Sequence, residues 1–574
     1  MRRFESFLGN HFIFMNGRDL MTNKDLANVM YPNVTKTIED YEKIYPERNL
    51  KEGAIVSRFA PSPTGFVHMG SLLTAFIESK MPKDTDGVFF LRIEDTDQKR
   101  SVENGIQGII DDLRNFDITI DEGAISETEE KGSYGPYIQS KRIDIYNTFA
   151  KFLVENDYAY PCFCSSEDIE EIRERQEANK ERIGYYGKHA KCRFLTNEER
   201  IEKINNGEPY VLRIKSTGDF NKKVTVNDCV RGKIDFPEND IDHVLIKSDG
   251  IPVYHFAHVV DDHLMRTTHV LRGEEWMPST PLHIELFRKF GFKAPRYAHL
   301  GLVMKIDETG SRRKLSKRKD PEAAVSYYHE KGIPIEAVKL YLTTIANSNF
   351  ESWYDANKDK TIDDFKLDFK KISASGTLFD IDKLLNISKN YISRLKATSV
   401  YESSLKWASE FDQELYDLLT KYKDYCINIF NIEREQKKPR KDYSCYSDIK
   451  KEIWYMFDEL FEKEQSVYQN IEVKDYYNVE ILNDYINNYY DENDTKDEWY
   501  NKIKSLAGKY GFAEEVKQYK ENPEQYLGHV GDVCEFIRVA TTSLTMTPDL
   551  YEILKLLGVE RIRNRFSKFS GYIK

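Results

Sequence analysis

Residues 57–71 read SRFAPSPTGFVHMGS, and the order of elements around this stretch decides the fold. Just upstream, Ala54 to Phe59 has the Ile, Val and Phe content and the length of a strand, while the apolar spacing downstream predicts a helix over roughly Ser71 to Ser79. A second strand is expected at Val88 to Ile93 and a second helix over Val102 to Phe116. Strand, glycine-containing turn, helix, strand is the order that builds a parallel α/β sheet. The backbone N–H groups of the turn and of the helix start can face a phosphate, and His68 stands at that junction. Taken alone, a turn of this kind is more often a structural loop than a site.

Working outward, residues 1–52 are polar and turn-rich and read as an N-terminal extension. The α/β pattern occupies 53–160 and is then interrupted over 161–250. There a charged helix, SEDIEEIRERQEANKERI, and short strand-like pieces, YVLRIKS and HVLIKS, describe an α+β insertion. The pattern resumes over 251–320 with VYHFAHVV, THVLRGEE and GLVMK. Beyond it the periodicity is helical, as in YHEKGIPIEAVKLYLTTIA and PDLYEILKLLGVERIRNRF, and is divided into 321–400 and 401–574.

A chain of 574 residues exceeds what one core usually serves, so a modular protein is expected. It contains no run of eighteen apolar residues, and its start mixes charge with aromatics instead of forming a secretory leader. No membrane partner and a cytoplasmic location follow as expectations. Seven cysteines form a sparse, odd set suited to reduced thiols, with Cys162 and Cys164 the suggestive pair. The net charge of −12 does not exclude a nucleic-acid partner, because phosphate binding depends on local basic surface. KKPRKDY (437–443) is such a local patch, read equally well as a solvated linker.

A second basic element gives the first its meaning. GSRRKLSKRKD (310–320) gathers Arg312, Arg313, Lys314, Lys317 and Arg318 beside Gly310 and Ser311. An isolated charge run is usually a solvated loop. Paired with the strand-turn-histidine element it suits attack on an α-phosphate, which spreads negative charge over phosphoryl oxygens and leaving pyrophosphate.

RFAPSPTGFVHMG resembles the first signature of class I aminoacyl-tRNA synthetases and KLSKR their second, in the wording of bacterial-type glutamyl-tRNA synthetases. LRIEDTD (91–97), VYHFAHVVDDHLM (253–265), LRGEEW (271–276) and TPDLYEILKLLGVER near the C-terminus are similar to that family's blocks, in the same order. The resemblance implies a Rossmann-like α/β catalytic domain split by an acceptor-stem-binding insertion, a stem-contact helical domain over 321–400 and an all-α anticodon-binding region over 401–574. It implies glutamate-tRNA ligase activity with ATP and Mg2+, acting on L-glutamate and tRNA(Glu), with tRNA(Gln) left open as a further substrate.

Carried over position by position, the resemblance sets Arg58, Ala60, Ser62, Glu94, Tyr254 and Arg272 around the substrate glutamate. His258 stands where these enzymes often have Asn. His68 and Gly70 would lie beside the ATP phosphates and ribose, Glu275 near the ribose, and Lys314 and Lys317 over the triphosphate. Taken singly, Tyr254 and Ser62 would be core or turn residues, and Arg272 a partner of Glu274 or Glu275. Some members also bind zinc in the insertion through a Cys-x-Cys pair, a Tyr and a later Cys. Here Cys162 and Cys164 form the pair and Tyr185 and Tyr186 follow. The later cysteine, Cys192, falls further on with His189 close by, which leaves the fourth ligand open; the alternative is buried thiols without metal. Two rivals remain at this stage, a nucleotidylyltransferase and a catalytically silent tRNA-binding relative. The first would not require the long helical C-terminus, and intact His68, Lys314, Lys317 and Arg272 speak against the second.

Overall fold

The computed structural model describes residues 21–573 except Phe66, Gln98, Lys99, Ser101, Lys317, Lys358, Gln465, Ser466 and Asn470. The chain forms two compact units, one running to Val325 and including Leu342–Phe379, the other made of Ser326–Tyr341 and Asp380 onward.

The first unit opens with α1 (Asn23–Met30) and α2 (Ile38–Ile44), each started by a Thr-x-x-Asp capping box, Thr22 with Asp25 and Thr37 with Asp40. Leu26, Met30, Ile38, Tyr41 and Tyr45 are buried in the same core as Phe149, Val260 and Leu286. Arg48 adds a bidentate pair to Glu122 at 2.8 and 2.9 Å. The described part of the supposed extension is therefore a wall of this unit. Its two short helices carry too few apolar residues to register as a periodicity. Residues 1–20 lie outside the described residues.

The parallel sheet begins with β1 (Val56–Phe59), β2 (Val88–Leu91) and β3 (Glu122–Ala124), with Arg58 opposite Phe90 and Leu91 opposite Gly123. A short β4 (Glu130–Lys131) pairs antiparallel at its edge. The connecting helices are α3 (Met69–Lys83) and α4 (Gly105–Asn115), followed by α5 (Ile143–Glu155). Next come β5 (Ala159–Cys162), α6 (Ser166–Ala178), α7 (Asn197–Asn205), β6 (Val211–Ile214), β7 (Lys223–Asp228), β8 (Gly232–Pro237) and β9 (Val244–Ile246). β5, β6 and β9 make an antiparallel sheet, and β7 and β8 a hairpin.

After them follow α8 (Tyr254–Leu264), β10 (His269–Gly273), α9 (Thr280–Phe290) and β11 (Arg296–Leu300), with β10 and β11 parallel. The Val56 amide donates to Thr268 Oγ1 at 2.8 Å and the Thr268 amide to the Val56 carbonyl at 3.0 Å, which sets β10 beside β1. Strands from both sides of the insertion thus meet at the middle of one parallel arrangement, where open α/β sheets bind their ligands beyond the strand ends. α8 is VYHFAHVV in its folded form. From Phe256 to Asp262 every residue is buried, so the stretch shows no amphipathic stripe to read.

Part of the basic run is strand, not loop: β13 (Arg312–Lys314) pairs antiparallel with β12 (Val303–Ile306), which β14 (Thr377–Leu378) joins in parallel. Arg313 is committed to Asp320, with both guanidinium nitrogens 2.6 Å from the carboxylate.

The second unit is helical throughout its described residues, including Ala397–Phe411, Lys496–Lys509, Val530–Thr542 and Leu550–Tyr572 around a core with Val400, Leu419, Leu506, Ile537 and Ile553. The last helix is kinked at Gly558, whose φ of 74° a residue with a Cβ rarely adopts. Within the patch 437–443, Arg440 turns back to Asp442 at 2.7 Å while Lys437 and Lys438 are exposed. No helix among the described residues is long and apolar enough to cross a membrane.

Candidate active site

A cavity of about 1300 Å³ opens at the ends of β1 and β10. Its wall carries Arg58, Ala60, Ser62, Glu94, Tyr254 and Arg272, and also His68, Gly70, Glu275 and Lys314. Residues up to two hundred and more positions apart in the chain are brought together because β1 and β10 are neighbours. Lys317 lies outside the described residues. His258 does not line the cavity. It is fully buried beneath Tyr254, the rings stacked at 5.5 Å, with Nδ1 2.6 Å from Asp262 and Nε2 3.3 Å from the Tyr297 hydroxyl. Burial pushes its pKa down to about 3.

Arg272, at the end of β10, is only 5% exposed. Its guanidinium donates to His299 Nε2 at 3.0 Å, His283 Nδ1 at 3.1 Å and Thr280 Oγ1 at 3.0 Å, lies 3.5 Å from the Tyr254 hydroxyl, and covers the Tyr297 ring at 4.6 Å. Glu274, next but one in sequence, pairs instead with Arg231 at 2.6 Å. Among the described residues Arg272 therefore meets neutral acceptors and no carboxylate. A buried guanidinium without a counter-charge, facing a cavity, is matched to a carboxylate brought by a ligand.

His68 precedes the first turn of α3 and accepts from the Ser71 amide through Nδ1 at 3.0 Å. A Cβ on Gly70 would come 3.2 Å from the His68 ring, so glycine there lets the imidazole close over the helix start. Gly273 has a similar part: a Cβ would stand 2.1 Å from a Glu275 carboxylate oxygen. The remaining amides at the start of α3 form an N-terminus suited to phosphate, and Lys314 lines the same cavity.

Beneath Arg58 and Glu94 of the cavity wall lies a charge network that sequence reasoning did not identify. Arg58 donates to Asp262 at 3.2 Å and approaches Glu78 at 3.4 Å, while Arg92 donates to Asp262 at 2.7 Å and to Glu94 at 2.9 Å. All five are buried. Burial alone would raise Asp262; Arg58, Arg92 and His258 hold it well below the usual carboxylate range. Burial wins at Glu78 and Glu94, both raised despite their arginines. The one available signal was the acidic pair DDH within an otherwise apolar stretch, since a buried acid demands a partner.

In the insertion, the sulfurs of Cys162, Cys164 and Cys192 all lie within 4.8 Å of one another. The Tyr185 hydroxyl stands 3.4 Å from Cys162 Sγ and 3.2 Å from Cys164 Sγ. His189 turns away to Glu181 at 2.8 Å, so Tyr185 and not His189 stands beside the sulfurs. Cys162, Cys192 and Tyr185 are half of a cluster of six buried residues, and Cys164 packs against it partly buried.

Comparison with known proteins follows the same lines. The family model for tRNA synthetases class I (E and Q), catalytic domain, matches residues 54–385. A glutamate-tRNA ligase of Clostridium perfringens is 47% identical over 552 residues, covering 96% of this chain and all of that protein. One of Acetivibrio thermocellus is 46% identical over 549 residues, again covering 96% and 100%. The crystal structure of a glutamate tRNA ligase from Elizabethkingia meningosepticum, in complex with its amino acid, superimposes with a TM-score of 0.72 at 26% identity, covering 91% of this chain and 100% of that one. With the family model spanning more than half the chain and such relatives matching nearly all of it, this chain belongs to the class I tRNA synthetases for glutamate and glutamine.

Proposed function

We propose that this chain joins L-glutamate to tRNA(Glu) for translation in the cytoplasm, forming glutamyl-adenylate from ATP and then passing the glutamyl group to the 3′ end of the tRNA. The observation that carries the reading is Arg272, a buried cation with only neutral acceptors in a cavity that also holds a histidine-capped helix start and Lys314. Class I synthetases use ATP with Mg2+, whose charge offsets that of the triphosphate.

In the first step the α-carboxylate of glutamate attacks the α-phosphorus and pyrophosphate leaves; in the second a terminal ribose hydroxyl attacks the acyl carbon and AMP leaves. Neither needs a covalent enzyme intermediate, so the protein's part is positioning and charge stabilisation. Arg272 and Tyr254 receive the side-chain carboxylate, Glu94 the ammonium, and Arg58, Ala60 and Ser62 border the amino acid. Arg58 acts from a guanidinium already engaged with Asp262 and Glu78, and His258 acts by supporting Tyr254. His68, Gly70 and Glu275 border the nucleotide, with Lys314 and Lys317 over its phosphates. Residues 161–250 hold the acceptor end, 321–400 the stem, and 401–574 the anticodon.

Purified transcripts of tRNA(Glu) and tRNA(Gln), each offered glutamate and glutamine, test the proposal. ATP-dependent attachment of glutamate to tRNA(Glu) is expected. Glutamate on tRNA(Gln) as well would make the enzyme non-discriminating, and no glutamylation of tRNA(Glu) would overturn the reading.

The insertion fits zinc. Three sulfurs lie within 4.8 Å of one another with a tyrosine hydroxyl beside two of them, a donor set that tetrahedral zinc accepts. Cys162, Cys164, Cys192 and Tyr185 would hold the ion, which would tie β5 to the loop after α6. Elemental analysis should find about one zinc per chain, lost in a Cys162→Ser/Cys164→Ser variant that loosens the insertion and leaves the catalytic unit folded. An active preparation free of metal would refute this site.

A further inference from the structure

The groups around Arg272 form a directed chain of hydrogen bonds. A guanidinium can only donate, so His283 Nδ1 and His299 Nε2, 3.1 and 3.0 Å from it, both present lone pairs. Each imidazole must carry its proton on the other nitrogen. For His299 that proton points at Asp228, 2.7 Å from Nδ1. For His283 it points at His255 Nδ1, 2.9 Å from Nε2, which in turn leaves the His255 proton on Nε2. His283 and His299 are fully or nearly fully buried. Burial, then His258, Arg272 and His255, holds His283 well below the ordinary imidazole value, and burial pushes His255 down to about 4. No imidazolium therefore faces the guanidinium near neutral pH.

An Asp or Glu at any of these acceptor positions would bind the guanidinium more strongly. It would also cancel the charge before a substrate arrived. We infer that His283 is a specificity-determining positioning residue, which fixes the Arg272 guanidinium through a neutral acceptor and so keeps its charge for the side-chain carboxylate of the amino acid. The inference rests on Arg272 being the receptor of that carboxylate. It assigns to α9, which carries no predicted site residue, a share in selecting glutamate over glutamine, because only a charged substrate responds to whether the guanidinium is already neutralised.

The test is a charge-cancelling substitution against a neutral one. His283→Asp sets a carboxylate beside the guanidinium, and the KM for glutamate should rise on the order of 10²-fold, the scale of misplaced charge in a desolvated site. The KM for ATP should hardly move, and the glutamate-to-glutamine ratio of kcat/KM should narrow by a similar factor. His283→Asn offers an uncharged amide oxygen near the place of Nδ1 and should restore the ratio to within about threefold of the parent. Should His283→Asp not fold, Thr280→Asp carries the same test. Thr280 Oγ1 accepts from Arg272 at 3.0 Å, and it opens α9, where an acid suits the helix start.

A purely structural His283 would instead lower stability and kcat in the Asp and Asn variants alike, leaving the ratio unmoved, and that result overturns the inference. Arg272→Gln is measured alongside. If it narrows the ratio while the charge-cancelling variants do not, the role of His283 falls and that of Arg272 stands. If Arg272→Gln leaves the ratio unchanged, both fall.

Discussion

Arg272→Gln is expected to cut kcat/KM for glutamate steeply and to narrow the gap to glutamine without creating an efficient glutaminyl enzyme. In the parent, the guanidinium offers donors to a carboxylate that brings two charged acceptors. An amide brings one neutral acceptor and turns its NH2 toward a group that can only donate. Sites that leave such groups unpaired discriminate by factors of about 10⁴. The substitution removes the charge while His283, His299 and Thr280 remain as acceptors that a glutamine amide can partly satisfy. The measurement is kcat/KM for both amino acids at saturating tRNA(Glu), in parent and variant. An unchanged ratio would mean that Arg272 does not read the side chain.

Asp262→Asn is expected to destabilise the first unit by about 3–5 kcal/mol, the usual effect of removing one partner of a buried ion pair. Asp262 serves Arg58, Arg92, His258 and Thr267 at once from a fully buried position on α8. Its loss removes the carboxylate that the two buried guanidiniums share and leaves Arg58 with Glu78 and Arg92 with Glu94. The pH dependence identifies the cause. A carboxyl depressed by folding contributes stability that is complete above its unfolded value of about 3.9 and is lost as the pH falls through the lower folded value. The difference between parent and variant should thus be constant from neutral pH down to about pH 5 and shrink below about pH 4. Urea unfolding followed by hydrogen exchange of the α8 amides reports on this unit. A deficit under about 1 kcal/mol, or one that persists undiminished in acid, would show that Asp262 is not the group that holds the two arginines.

The order of strands and helices around SRFAPSPTGFVHMGS was legible from the sequence alone, because β1, β2, α3 and α4 each carry their own apolar pattern and their own turn. So was the helical character of the C-terminal third, though not the kink that the fold places at Gly558. Those are local properties, decided by side-chain spacing and backbone preference within about ten residues. The residues of the linear motifs could be singled out for a related reason: His68 with the turn before it, and the cations of 312–318, stand close together along the chain.

What only the tertiary structure decided are the properties that depend on who the neighbours are. α1 and α2 belong to the core of the first unit because Tyr41 and Tyr45 find a surface there, which their own short periodicity does not announce. His258 lies under Tyr254 and not in the cavity, and because every residue from Phe256 to Asp262 is buried the stretch has no stripe by which to tell its facing residues apart. Tyr185 and not His189 stands with the cysteines, since Glu181 draws the imidazole away. Arg272 is the sharpest case. Two glutamates follow it within three positions, and sequence proximity suggests that one of them pairs with it. In the fold Glu274 goes to Arg231, and Arg272 is left among histidines. Whether a buried arginine is neutralised or keeps its charge for a ligand depends on distances of 3 to 4 Å across separate elements, and no reading of the linear order contains them.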